Sequence, residues 1–395
     1  MEEILEEAQK LSTYCLCDAC LGRQFAQVEH GMTNSERGER IRALLHLPEK
    51  SPDECWLCEG LTGEIEKFAK LAIEKLKEYE HDTFLVGCRI DEEILRKERE
   101  VATPHSESIK REINREVGKI VAQESGKTPE FVHPDIVVIV NTMYDLIELE
   151  VNPLFIYGRY RKLVRGIPQT KWYCRKCRGR GCDYCGHTGK MYEESVEELI
   201  AHKALELFGA EDESFHGAGR EDIDVRMLGN GRPFILELKN PRKRHINLEK
   251  LQGEINKYAQ TKVTVDNLRY ARREEVEELK NARHPKTYRI TIAYEGNGKL
   301  NEAVNALRGA EIAQRTPTRV SHRRADKVRY RKVMDMRVEN ADACEATLVV
   351  KAEAGTYIKE LVTGDDGRTT PSLSELAGMT ITVKELDVIE IGDEK

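Results

Sequence analysis

Asp222 is the residue of this 395-residue chain best placed to do chemistry. It lies in Gly217-Ala218-Gly219-Arg220-Glu221-Asp222-Ile223-Asp224-Val225-Arg226-Met227. Gly217 and Gly219 allow the chain to turn tightly into the next strand. Ile223, Val225 and Met227 then alternate with Asp224 and Arg226, the period of a half-buried strand. Gly229-Asn230-Gly231 has the composition of a hairpin turn, and Phe234-Ile235-Leu236 reads as the return strand. On this reading Asp222 shares a solvent face with Asp224 and Arg226. A carboxylate fixed at a glycine-framed loop suits nucleophilic work, and a guanidinium nearby, such as that of Arg220, favours its ionised form. The alternative is an acidic pair on a solvated strand edge.

The cysteines suggest a second chemistry. Eight of the eleven fall in four Cys-x-x-Cys pairs, a spacing that lets two thiolates grip one tetrahedral metal ion. Cys17/Cys20 with Cys55/Cys58 make one candidate quartet, and Cys174/Cys177 with Cys182/Cys185 a second. Cys15 is a competing ligand for the first; reduced thiols on a linker are the alternative for the second. Closed four-thiolate sites leave no position for water, so the expected cofactor is structural zinc. Cys88 and Cys344 sit in apolar runs and read as core residues.

No run of 18 apolar residues suggests a membrane span, and the acidic start Met1–Glu7 does not read as a signal peptide, so a cytoplasmic protein is expected. The net charge is −7, unlike a nonspecific polyanion binder. The charge is uneven, however. Residues 157–180 hold nine Lys or Arg and no acid, and residues 315–332 hold eight against one acid, Asp326. Two basic tracts on an acidic protein suit a defined polyphosphate path, the first with Tyr157, Tyr160, Trp172 and Tyr173 interleaved. Solvated helix faces are the alternative.

The elements that would position these groups are mixed. Ile65, Phe68, Ala72 and Leu76 mark one helix, and Ile109, Ile113, Val117 and Val121 another. Thr83–Gly87, Ile136–Val140 and Leu146–Val151 read as strands. A helix carrying Val196 to Phe208 ends at Gly209. Residues 247–280 read as helical or loop-rich. Strands are expected around Tyr288–Tyr294, Ala346–Ala352 and Ile381–Ile391. The expected fold class is α+β, with the C-terminal half a mixed domain around one large sheet.

Three strings in this order, Gly219 to Gly229, Gln314 to Asp326 and Gly355 to Leu361, resemble the family that makes pseudouridine at positions 54 and 55 of archaeal tRNA, the pseudouridine synthase ten family. The resemblance extends over nearly the whole chain. It implies an N-terminal zinc module (1–60), a THUMP-like RNA-binding domain (61–170), a Cys-rich zinc turn (171–190) and a pseudouridine synthase catalytic domain (191–395) built on a mixed, largely antiparallel sheet. It implies that Asp222 is the catalytic carboxylate, with Arg220 helping to displace the target base. Tyr288 would contact that flipped base, and Tyr357 would be a second substrate contact. The tract 315–332, with His322, Arg323 and Arg324, would grip the tRNA backbone. The partner would be the TΨC arm of tRNA, with no obligate protein partner and no cofactor for the chemistry. Position 54, 55 or both, and attack at C1′ or removal of a sugar proton, stay open. A noncatalytic zinc-containing tRNA-binding protein is the rival. A zinc deaminase is disfavoured, because His105-Ser106-Glu107 has no Pro-Cys-x-x-Cys after it.

Overall fold

A computed structural model describes residues 2–28, 30–296 and 299–392, without the side chains of Glu2, Glu3 and Arg323. The chain folds into two units: one runs to Pro153 and includes Lys239–His245, the other takes Leu154–Leu238 and everything from Ile246 on.

In the first unit, β1 (Thr83–Arg89), β2 (Thr128–Pro129), β3 (Ile136–Asn141) and β4 (Leu146–Val151) form a sheet in the order β2-β1-β3-β4. Helix Ile65–Leu76 turns Phe68, Ala69, Ala72 and Leu76 inward, three to four residues apart. Helix Ile109–Ser125 does the same with Ile109, Ile113, Val117 and Val121; Ser108 caps its start and left-handed Gly126 ends it. The cysteine-bearing segment shares this core, which runs without a break from Ala8 to Ile147. Fully buried Arg23, on helix Asp18–Arg23, bonds Glu112 of helix Ile109–Ser125 at 2.7 Å. The expected border at residue 60 therefore does not separate two cores.

The second unit is built on β5 (Leu154–Lys162), β6 (Asp212–Gly217), β7 (Arg226–Lys239), β8 (Val263–Ala271), β9 (Lys286–Glu295), β10 (Glu311–Arg315), β11 (Val328–Ala341), β12 (Glu345–Ala352), β13 (Thr369–Thr370) and β14 (Thr380–Ile391). They make one sheet in the order β13-β10-β11-β12-β9-β14-β7-β5-β8, with β6 paired to β7. Only β7 and β14 run parallel on this path. The sheet is mixed and largely antiparallel, as the family resemblance implies. Helices Val196–Phe208, Leu248–Tyr258, Leu300–Leu307, Ile358–Thr363 and Leu373–Ala377 add their apolar faces to its core.

Three expectations change here. Residues 154–162, assigned to the RNA-binding domain, form β5 inside this second sheet, paired on both sides by β7 and β8. The hairpin at Gly229-Asn230-Gly231 does not form, and β7 continues through it. The two glycines serve close approach instead: a Cβ on Gly229 would sit 1.7 Å from the Ile389 carbonyl oxygen, and one on Gly231 2.9 Å from that of Tyr160. Asn230 replaces the lost ladder by bonding Ile391 through both its amide oxygen and its nitrogen. Finally, residues 247–280 contain β8, an edge strand whose Asp266, Asn267 and Arg269 hide it from an apolar-pattern reading.

Candidate active site

Asp222 sits in the loop between β6 and β7, where its carbonyl accepts from the Val225 amide at 3.1 Å. The loop is tight because Gly219 takes φ +79° and donates to the Gly217 carbonyl. Beneath it lies a buried polar network. Glu221 accepts from Arg232 Nε and from the Tyr160 hydroxyl, each at 2.9 Å. Gln169 Nε2 donates to the Tyr160 oxygen at 2.8 Å and the Gly219 carbonyl at 3.0 Å, and Arg232 holds the Ala218 carbonyl at 2.8 Å. Every charged member is paired, as a buried network requires.

Above the loop opens a cleft of about 450 Å³ lined by Arg220, Asp222, Lys286, Tyr288, Arg319, Arg324, Tyr357 and Lys359, among others. Arg319 Nη1 donates to Asp222 Oδ2 at 2.8 Å, and its Nε donates to Glu360 at 2.6 Å. Lys359 Nζ lies 3.9 Å from Asp222 and bonds Asp224 at 2.7 Å. Arg319, on the segment Thr318–Arg323, is thus the guanidinium paired with Asp222, whereas exposed Arg220 stands at the cleft wall. In the sequence Arg319 is only one cation of a basic tract, and its role is missed there. No spacing rule ties two residues 97 positions apart.

The structure brings Asp222, Tyr288, Tyr357 and Arg220 around one cleft. Tyr288 projects from β9 on the core side; burial raises its hydroxyl pKa to about 12, with Arg232 opposing. Tyr357 is fixed by its backbone, because Gln314 accepts from its amide and donates to its carbonyl, both at 2.9 Å. Its hydroxyl accepts from Arg324 at 3.1 Å. Lys286, two residues before Tyr288, also faces the cleft; burial, with help from Arg232, lowers its pKa to about 8. Asp224 is held below the ordinary carboxylate range: burial works against this, but the bond from Lys359 prevails.

The basic tracts part company. In the first, Tyr160 and Lys162 are fully buried, Arg159 and Arg161 bond the carbonyls of residues 229–231, and Arg165 pairs with Asp387. Those cations serve the fold around the Asp222 loop. Only its later members Arg175, Lys176, Arg178 and Arg180 are exposed. In the second, His322, Arg324 and Lys327 are exposed beside the cleft segment, while the side chain of Arg323 lies outside the described residues.

Both cysteine quartets assemble, each with its four sulfurs within 4.8 Å of one another. Cys17–Cys58, Cys174–Cys182, Cys177–Cys185 and Cys182–Cys185 stand at 3.8 Å. That is about the edge of a tetrahedron with metal–sulfur bonds of roughly 2.3 Å. Both quartets therefore fit one tetrahedral metal ion each. Cys15 instead donates to the Glu54 carbonyl, and Cys344, expected in the core, is exposed. Among the described residues no helix is long and apolar enough to cross a membrane.

Comparison with known proteins agrees with this layout. Residues 155–392 match the family described as Pus10, C-terminal, and residues 68–141 the archaeal Pus10 THUMP domain. The first match begins within β5, where the second unit begins. The chain is 45% identical to the tRNA pseudouridine synthase Pus10 of Methanothrix thermoacetophila, over 95% of this chain and 92% of that one. It is 44% identical to the one of Methanocaldococcus jannaschii, over 97% and 93%. Against the one of Pyrococcus furiosus it is 43% identical, over 99% and 98%.

Proposed function

The chain belongs to the Pus10 family of tRNA pseudouridine synthases, and from that premise we propose that it isomerises uridine in the TΨC arm of tRNA, at position 54, 55 or both, with Asp222 as the reacting carboxylate. The observation that carries this is the pairing of Asp222 with Arg319 at the floor of a cleft that also presents Tyr288 and Tyr357.

The reaction breaks the N1–C1′ bond of uridine, turns the uracil and joins its C5 to C1′; the proton lost from C5 is balanced by one gained at N1. No electron is gained or lost, so no redox cofactor is required. The bond from Arg319 fixes the Asp222 carboxylate at the cleft, placed either to attack C1′ or to take a proton from the neighbouring sugar carbon. A flipped base needs a flat apolar face to replace its stack, which the Tyr288 ring supplies. Arg324 and Tyr357 line the cleft where the flanking backbone would pass, and exposed cations there suit phosphate contacts. The two cysteine quartets would hold zinc as closed structural sites.

The test uses purified protein and an unmodified tRNA transcript with no other factor, mapping pseudouridine by carbodiimide labelling. Wild type is expected to modify position 54, 55 or both, and Asp222→Asn to bind tRNA but make none. Pseudouridine from the Asn variant would overturn the role of Asp222, and modification outside the TΨC arm would overturn the substrate site.

A further inference from the structure

Lys162 is wholly buried at the end of β5, directly beneath the loop that carries Asp222. Its Nζ donates to three carbonyl oxygens: Ile167 at 2.9 Å, Asp222 at 3.2 Å and Ile223 at 3.1 Å. An ammonium has three donors and no acceptor, so three carbonyls satisfy it completely. The Ile223 carbonyl is further fixed by the Gly166 amide at 2.9 Å. Such matching is what makes a buried cation tolerable.

We propose that Lys162 is a positioning residue for the reaction: its ammonium holds the Asp222 and Ile223 carbonyls down into the protein, and so aims the Asp222 carboxylate up into the cleft. Consecutive carbonyls point to opposite sides of an extended chain. Bringing two of them onto one cation kinks the backbone at the residue whose side chain reacts. The neighbouring loop does not depend on this cation. Ala218 is held by Arg232, Gly219 by Gln169, and Glu221 by Arg232 and Tyr160. Removing the ammonium leaves the Asp222 carbonyl on the Val225 amide alone and the Ile223 carbonyl on the Gly166 amide alone, so it loosens residues 222–223 while leaving 218–221 in place, a local error at the reacting group. Arg319 would still be bound to Glu360, and Asp222 would swing out of line with it.

This inference rests on the proposed role of Asp222, and the experiment separates the two. Single-turnover rates are measured with enzyme in saturating excess over tRNA transcript, so that an unfolded fraction does not alter the rate constant. Wild type, Asp222→Asn, Lys162→Met and Lys162→Gln are compared, and tRNA affinity is measured for each. Met matches the unbranched stem without a donor; Gln keeps two donors. The expected result is a rate constant lowered on the order of 100-fold in Lys162→Met, the effect of a small misplacement of a reacting group, with tRNA affinity within about twofold of wild type, and an intermediate rate for Lys162→Gln. If Lys162→Met does not fold, Lys162→Gln carries the same comparison. A Lys162 variant that turns over at the wild-type rate, or that slows only as far as weakened tRNA binding accounts for, would overturn the positioning role. Activity in Asp222→Asn would instead overturn the reading on which it rests.

Discussion

Arg319 ties Asp222 to Glu360, donating through Nη1 to the first at 2.8 Å and through Nε to the second at 2.6 Å. Glu360 is buried and Asp222 borders the open cleft, so the guanidinium is anchored on its protected side and presented on the cleft side. A lysine offers a point charge without the fork needed to span two carboxylates. Arg319→Lys is therefore expected to retain part of the turnover, and Arg319→Leu to lose about 100-fold or more in kcat. The Leu variant also leaves Glu360 buried and unpaired; adding Glu360→Gln should restore its thermal stability but not its rate. Melting curves and kcat on the single and double variants check this, and equal recovery of both would contradict it.

Glu221 and Arg232 form a buried pair at 2.9 Å, each about 1% exposed at the side chain. Removing one partner strands the other in a dry site, which costs about 3–5 kcal/mol. Glu221→Ala should lower the unfolding free energy by that order in urea titration. Tyr160→Phe, which removes a neutral hydroxyl that donates to Glu221 and accepts from Gln169, should cost less, about 2 kcal/mol. If Glu221→Ala were as mild as Tyr160→Phe, the pair would not be structural.

These two cases show what the sequence can convey. Periodicity reveals the helices around Phe68, Ile113 and Leu199 and the strands at Tyr288 and Leu348, because burial on one face leaves a repeating apolar signature. Asp222 stands out because glycines frame its loop. What stays hidden depends on folding partners distant in the chain: Arg319 on Asp222, Lys162 under the loop, and Gly229 facing Ile389. A buried Lys or Arg looks in sequence like an exposed one, so a tract that supports the floor of the Asp222 loop reads as an RNA path. Glycine-Asn-Gly suits both a hairpin and a close approach of strands, and only the neighbouring backbone decides between them.

Tyr288 is buried on β9 with its ring in the cleft wall. Stacking on a base uses the ring, whereas acid or base work uses the hydroxyl, so two variants divide the roles. Tyr288→Phe is expected to keep kcat within a few-fold, since only the hydroxyl is lost. Tyr288→Leu should lower kcat/KM by roughly 10- to 100-fold, the scale of ~1–3 kcal/mol for one stacked base. A Phe variant as impaired as the Leu variant would transfer the role to the hydroxyl.

Lys286 has its pKa lowered by burial to about 8 from the ordinary 10.5. Below pH 8 both folded and unfolded chains carry its proton, and the fold bears the full burden of a desolvated ammonium. Between pH 8 and 10.5 the folded chain has released the proton while the unfolded chain still binds it, so this group's contribution to stability rises with pH. Lys286→Met has no such burden at any pH. The Tm advantage of Lys286→Met over wild type should therefore be largest at about pH 7.5 and shrink by about pH 10. A difference in Tm that stays constant across that range would show that Lys286 does not titrate there.

The two cysteine quartets should differ in what they support. Cys17, Cys20, Cys55 and Cys58 are all at most 2% exposed and belong to the continuous core of the first unit. In the second quartet Cys182 and Cys185 are only half-buried, in a turn-rich segment outside the main cores. A structural metal site contributes its binding free energy to folding wherever the surrounding chain depends on it. Elemental analysis of wild type should therefore find zinc at both sites, and Cys58→Ser and Cys182→Ser should each lose one equivalent. Cys58→Ser should also lower the melting temperature markedly and expose the first unit to limited proteolysis. Cys182→Ser should leave the global melting transition nearly unchanged and open cleavage only near residues 174–189. Loss of zinc without these separate outcomes would mean that the second site, like the first, supports a core.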